Sequence, residues 1–154
     1  MTVDLMKWID IPPFWLLACM ALTYLTGQVG GADTGLDLAV LRITGGALIA
    51  AGVVLMVLAV LEMRRFRTTV LPHMTADTLV RTGIFARSRN PIYLGDMLVL
   101  AGYILWTGVL WAAPLLAGLF WVLKHRFILP EEQRLAARFG PEFDDYCRQT
   151  RRWA

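Results

Sequence analysis

Apolar residues along the chain gather in long runs separated by polar links. A first run over residues 11–28 opens on Pro12 and Pro13, which suit the first turn of a helix, and closes in Gln28, Gly30 and Gly31. The longest run, 38–61, carries Gly45, Gly46, Ala50 and Gly52, small side chains spaced so that another helix can approach closely. After a polar stretch over 62–90, two shorter runs cover 91–106 and 109–123, divided by Thr107 and Gly108. Since a crossing uses about 20 apolar residues, the pattern predicts about four membrane-spanning helices. The last two form a tight hairpin that tilts or thins the bilayer, because roughly 16 residues rise only about 24 Å against a core near 30 Å.

Beyond these runs, Leu135, Phe139, Phe143 and Cys147 recur at four-residue spacing, an apolar stripe on a helical segment beginning at Glu131. Gly140 followed by Pro141 is a stop-and-restart signal that predicts two short helices there. The expected fold is an all-α integral membrane protein, one domain over residues 1–154, with about four transmembrane helices and a cytoplasmic C-terminal helical segment against them.

Composition agrees with this pattern. Of 154 residues, 57% are hydrophobic and 18% charged, against about 45–50% and about 25% in soluble domains; the mean hydropathy is +0.55. A large multidomain enzyme is excluded by length. The net charge of +3 comes from bases bunched between apolar runs without a nucleic-acid motif, so they read as topology charges and exclude nucleic acid as the expected partner. Arg64, Arg65, Arg67, Arg81, Arg87 and Arg89 lie between the second and third runs, whereas Asp33 and Asp37 lie between the first and second. By the positive-inside rule the basic loop and both termini face the cytoplasm, in the inner membrane if the cell is bacterial. Asp4, Lys7 and Asp10 without a small-residue cleavage site indicate a retained first helix. Cys19 and Cys147 have no companions at ligand spacing, so neither a disulfide framework nor a metal site is expected, and His73 and His125 read as interfacial or structural.

Two segments carry candidate chemistry. In Arg89-Asn90-Pro91-Ile92-Tyr93-Leu94-Gly95, Asn90 suits an N-cap and Pro91 the first helical position, which leaves unpaired N–H groups at the membrane surface. Such a helix start beside Arg89 can hold a carboxylate or phosphate; it can equally be a capped membrane helix with a snorkelling arginine. In the second segment, Glu131 and Glu132 are candidate site acids or simple partners of a helix dipole.

The order of these segments resembles the isoprenylcysteine carboxyl methyltransferases and the related membrane phospholipid methyltransferases. Residues 77–95, DTLVRTGIFARSRNPIYLG, are similar to the signature xTLVxxGxYxxxRHPxYxG, and Glu131 to Tyr146 are similar to EExxLxxxFGxxYxxY, with Arg152-Trp153 resembling the closing basic-aromatic end. The resemblance implies S-adenosylmethionine as cofactor, held by elements at 77–95 and 126–153. Thr78, Leu79 and Val80 would lie along it, with Gly83 in the same signature and Phe85 in the aromatic place. Arg89, Asn90, Pro91, Ile92 and Tyr93 would form its cradle, and Glu131 its acidic contact. Asn90 stands where the isoprenylcysteine enzymes have histidine, Phe85 and Phe143 replace tyrosines, and Phe127 replaces an arginine beside which Arg126 is available. Arg126 and Glu132 are the candidate catalytic residues.

The implied reaction is in-line methyl transfer to a lipid-like or prenylated acceptor entering from the bilayer. Isoprenylcysteine-type carboxyl O-methylation stands first, and N-methylation of a phospholipid or lipid amine, with Glu131 or Glu132 as base, is the alternative. A different class, a non-enzymatic assembly subunit whose basic loop rests on anionic lipid, predicts no defined pocket between loop and C-terminal helix. Oligomeric state and natural acceptor are left open by the sequence.

Overall fold

A computed structural model describes residues 10–30, 35–67 and 78–153, and among these the regular structure is helical throughout. The expectations resting on Asp4, Lys7, Gly31, Asp33, His73 and Asp77 lie outside the described residues. Helix α1 is Pro12–Gly30, α2 Leu38–Arg65 and α3 Pro91–Thr107, with a short 3₁₀ turn at Gly83–Ala86 in the loop before α3. A second 3₁₀ turn at Leu110–Ala112 leads into α4, Pro114–Val122, which continues through a π-helical segment, Leu123–Ile128, into α5, Leu129–Phe139; α6 is Pro141–Gln149.

The proline signals fall where helices begin: α1, α3, α4 and α6 each start on proline, the position where a missing N–H costs no hydrogen bond. Asp37 caps α2 by accepting 2.8 Å from the Ala39 N–H. The α3–α4 hairpin turns at Gly108 as expected, and Gly140 separates α5 from α6. One expectation is corrected. The C-terminal helix does not begin afresh near Glu131, because the chain stays helical from Pro114 to Phe139. Pro130 supplies the reason: its ring and missing N–H are incompatible with a regular i→i−4 turn, and the wider π turn just before it lets the helix continue.

Among the described residues two helical stretches, α2 and Leu110–Phe139, are long and apolar enough to cross a membrane; α3 is apolar but shorter. Val40, Ile43, Val53, Val54 and Val57 of α2 are exposed, the surface a bilayer would cover. The opposite side of α2 packs antiparallel on α3 along a glycine seam: a Cβ on Gly45 would meet the Gly102 carbonyl oxygen at 2.5 Å, and one on Gly52 would meet the Gly95 oxygen at 2.7 Å. Small residues thus let two backbones touch, as the spacing of Gly45 and Gly52 predicts. The core lies behind this pair, where Leu100 and Ile104 of α3 pack with Leu119, Leu123, Phe127 and Ile128 of the α4–α5 rod and with Leu16 of α1. This packing fixes Tyr93, near the start of α3, against Phe127, with ring centroids 6.4 Å apart.

Candidate functional site

The loop before α3 and the end of the chain are laced together by backbone groups. The Arg89 N–H donates 3.0 Å to the Arg151 carbonyl. The Asn90 side-chain amide donates 3.0 Å to the Arg152 carbonyl. Asn90 is therefore not the side-chain cap of α3 that its position predicts; a chain segment 62 positions away outcompetes the local helix end for its amide. Tyr146 of α6 donates 2.7 Å to the Phe85 carbonyl, and burial holds its hydroxyl above the ordinary phenol range, so it remains a donor.

Beneath this lacing sits an ion cluster. Glu132 of α5 pairs with Arg89 at 3.1 Å and takes a two-pronged contact from Arg152, Nη2 to Oε2 at 2.7 Å and Nε to Oε1 at 3.1 Å. The hydrogen bond to Glu132 raises the Arg152 guanidinium further above its ordinary range. Because α5 continues the helix before it, Glu131 and Glu132 face no free helix end, and the dipole reading of these acids loses its basis. Each acid is engaged by a partner on another element. Glu131 accepts 2.9 Å from the Tyr93 hydroxyl.

Two cavities meet at this point. The larger, about 240 Å³, lies between the start of α1, α2 and α3, and the smaller, about 60 Å³, lies between the loop and the C-terminal helices. Met63, Phe85, Arg89 and Glu131 line both. Asn90, Pro91, Ile92 and Tyr93 line the larger, and Thr78, Leu79 and Val80 line the smaller beside Leu135 and Tyr146. The structure thus gathers almost every residue expected to touch a cofactor around one continuous wall. Gly83 stands outside it, at φ +57°, where a Cβ would meet the Glu62 carboxyl at 2.9 Å; it lets the loop turn under α2. Thr82 fastens the same place by donating to Glu62.

The two expected catalytic residues lie elsewhere. Glu132 faces Arg89 and Arg152 rather than either cavity. Arg126, on the π-helical segment, donates to both Asp10 oxygens at 2.7 Å and lies 5.7 Å from the Trp15 ring, with Asp10 also accepting 3.0 Å from the Trp15 indole. Arg126 thereby holds the start of α1, whose Ile11, Pro12 and Pro13 form one side of the larger cavity. Asp96, which carried no expectation, lines the larger cavity while only 2% exposed. A lone acid in an apolar run is a signal for it.

For a cofactor of the implied kind the donor set is suited. The buried Arg89 Nε lacks a hydrogen-bond partner, Glu131 offers a carboxylate at the junction, and Phe85, Leu79 and Val80 supply aromatic and apolar walls. Among the described residues no cluster of three or more His, Cys, Asp or Glu side chains is placed to hold a metal ion.

The described residues thus form an apolar helical bundle with a two-chambered cavity, in keeping with a membrane protein. The chain belongs to the phospholipid methyltransferase family, whose pattern matches residues 40–142. Membership of that family is in accord with the resemblance read from the sequence. It is also 35% identical over 72 residues to the nickel-cobalt-cadmium resistance protein NccN of Alcaligenes xylosoxydans xylosoxydans, a match covering 47% of this chain and 33% of that protein. The chain thus spans about a third of the length of that relative. No solved structure matches it.

Proposed function

We propose that the protein transfers a methyl group from S-adenosylmethionine to a lipid-like acceptor entering sideways from the bilayer. The observation that carries this reading is the meeting of the two cavities at a shared wall of Met63, Phe85, Arg89 and Glu131. One chamber opens among polar loop and C-terminal elements and the other among apolar helix faces, which suits a polar cofactor and an apolar-tailed acceptor brought to one junction. In this reading the domain is the whole chain and α1, α2, α3 and the α4–α5 rod supply about four crossings. The loop before α3 and both ends of the chain lie on the cytoplasmic side.

The cofactor, when bound, supplies an electrophilic methyl group on a sulfonium. Arg89, through its free Nε and the N–H groups at the start of α3, holds a carboxylate. Glu131, oriented by the Tyr93 hydroxyl, places negative charge near a sulfonium, and Phe85 and Tyr93 offer ring faces to it. Glu132 keeps Arg89 in place as a positioning residue, and Arg126 does the same for the start of α1. A carboxylate acceptor needs only alignment, whereas an amine must also lose a proton, for which Glu131 is the junction base.

Incubating the membrane-embedded protein with methyl-labelled S-adenosylmethionine and matched acceptors that differ in head group and tail length tests the reading. Each buried CH₂ contributes about 0.8 kcal/mol, so long-tailed members, prenylcysteine or lipid amine, are expected to react most efficiently. Equal efficiency for a short, water-soluble member would make this a small-molecule methyltransferase. Absence of both cofactor binding and transfer would return the protein to the assembly-subunit class.

A further inference from the structure

Asp96 lies one helical turn beyond Tyr93 on α3 and lines the larger cavity. It is 2% exposed, and its Oδ2 has no hydrogen-bond partner. The side chain is too short to reach a membrane surface as lysine or arginine would, and its Oδ2 makes no hydrogen bond to the carbonyls of its own helix. Arg89, the cation lining the same cavity, is engaged by Glu132. The same cavity is lined by the apolar Ile11, Pro12, Met56 and Ile92 and by the polar Asn90, Tyr93 and Glu131. A carboxyl group kept in such a place with one oxygen unpaired among the described residues is expensive for the fold, so it marks a position where a ligand completes the pairing.

We propose that Asp96 is the acceptor-selecting residue, holding the protonated amino head of an acceptor whose apolar tail leaves the cavity between the helices. This rests on the larger cavity being the acceptor chamber. A charged N–H donor satisfies the free oxygen and is itself desolvated against a counter-charge, whereas a carboxylate head meets Asp96 and Glu131 together and is repelled. Asp96 is thus a specificity residue that separates the two acceptor classes on the binding side, independently of how the proton later leaves.

Binding can be read without turnover by photolabelling the full chain in lipid nanodiscs with three matched probes that carry a chain diazirine: dodecylamine, dodecanol and dodecanoic acid. Cross-links are mapped by mass spectrometry to peptides bearing Pro12, Met56 and Tyr93. The amine is expected to label these peptides at the lowest concentration. Asp96→Asn should raise its half-saturating concentration at least tenfold and leave the alcohol within twofold, and Asp96→Glu should retain most of the amine preference. The unchanged alcohol also reports that the variant is folded. If all probes label the chamber but Asp96→Asn affects amine and alcohol equally, or if the acid is preferred by the unsubstituted protein, the assignment of Asp96 is overturned while the chamber stands. If no probe labels these peptides, the acceptor chamber itself is wrong.

Discussion

The hydroxyl of Tyr93 donates 2.9 Å to the Glu131 carboxylate, joining the first turn of α3 to α5 across 38 positions of sequence. This bond fixes where the negative charge of the cavity junction sits, since Phe127 stacks on the Tyr93 ring from behind and leaves its hydroxyl one direction to point.

Glu131→Gln is expected to weaken S-adenosylmethionine binding by about tenfold or more, because a charge-assisted contact is worth roughly 1.5–3 kcal/mol. Tyr93→Phe keeps the ring and loses only the orienting bond, so its loss is smaller, about 0.5–1.5 kcal/mol. Calorimetry on detergent-solubilised protein measures both, and equal affinity in all three proteins would remove the pair from the cofactor site.

Glu132, held between Arg89 and Arg152, is expected to answer for stability rather than for chemistry. Glu132→Ala strands two arginines, one of them Arg89 with a side chain only 12% exposed, and is expected to destabilise by about 2–4 kcal/mol. Arg152→Ala should cost less and should add little on top of Glu132→Ala, with a coupling of about 1–3 kcal/mol in a double-mutant cycle read by thermal unfolding. Additive losses would mean that the cluster is not a unit.

Gly102→Val drives a side chain into the Gly45 carbonyl, 2.5 Å from the new Cβ, and should destabilise by at least about 1–3 kcal/mol and lower cofactor affinity with it. Gly118→Ala meets nothing within 4 Å and should be neutral or gain about 0.5–1 kcal/mol. Unfolding in a fixed detergent separates the two; similar outcomes would deny the seam a part in holding α3.

A cysteine placed at Arg87 in a chain lacking Cys19 and Cys147 should react with an impermeant thiol reagent only in inverted vesicles, and one at Leu36 only in intact cells. Both positions are exposed. The opposite pattern would reverse the proposed orientation.

Much of this arrangement is legible in the chain. Pro12, Pro91, Pro114 and Pro141 announce helix starts, and Gly45 and Gly52 announce a close helix neighbour, because each acts through its own backbone geometry. The residues from Thr78 to Tyr93 reach one wall together because they are adjacent along the chain and Glu131 is carried to them by one helix. What fails is local reasoning about partners that arrive from afar. Asn90 has the side chain of a cap, yet its amide goes to Arg152; Arg126 has the charge of a site residue, yet Asp10 claims it. Glu131 reads as the start of a separate helix until the π turn before Pro130 is seen. Asp96 is visible in the chain as a lone acid between Gly95 and Met97, but only the structure shows that it is buried and that its Oδ2 has no hydrogen-bond partner among the described residues.

The lacing of Arg89 and Asn90 to the carbonyls of Arg151 and Arg152 also sets an order of events during synthesis. The two halves of that contact are 62 positions apart, which at about 5–20 residues per second is an interval of roughly 3–12 s. Once α3 has been made it can sit in the bilayer beside α2, while the loop above it has no rim to close against until Arg151 and Arg152 follow. A ribosome stalled in this window therefore leaves behind an inserted helical pair with an open, unassembled site. The rim of the pocket therefore exists only after the segment carrying Arg151 and Arg152 has been made.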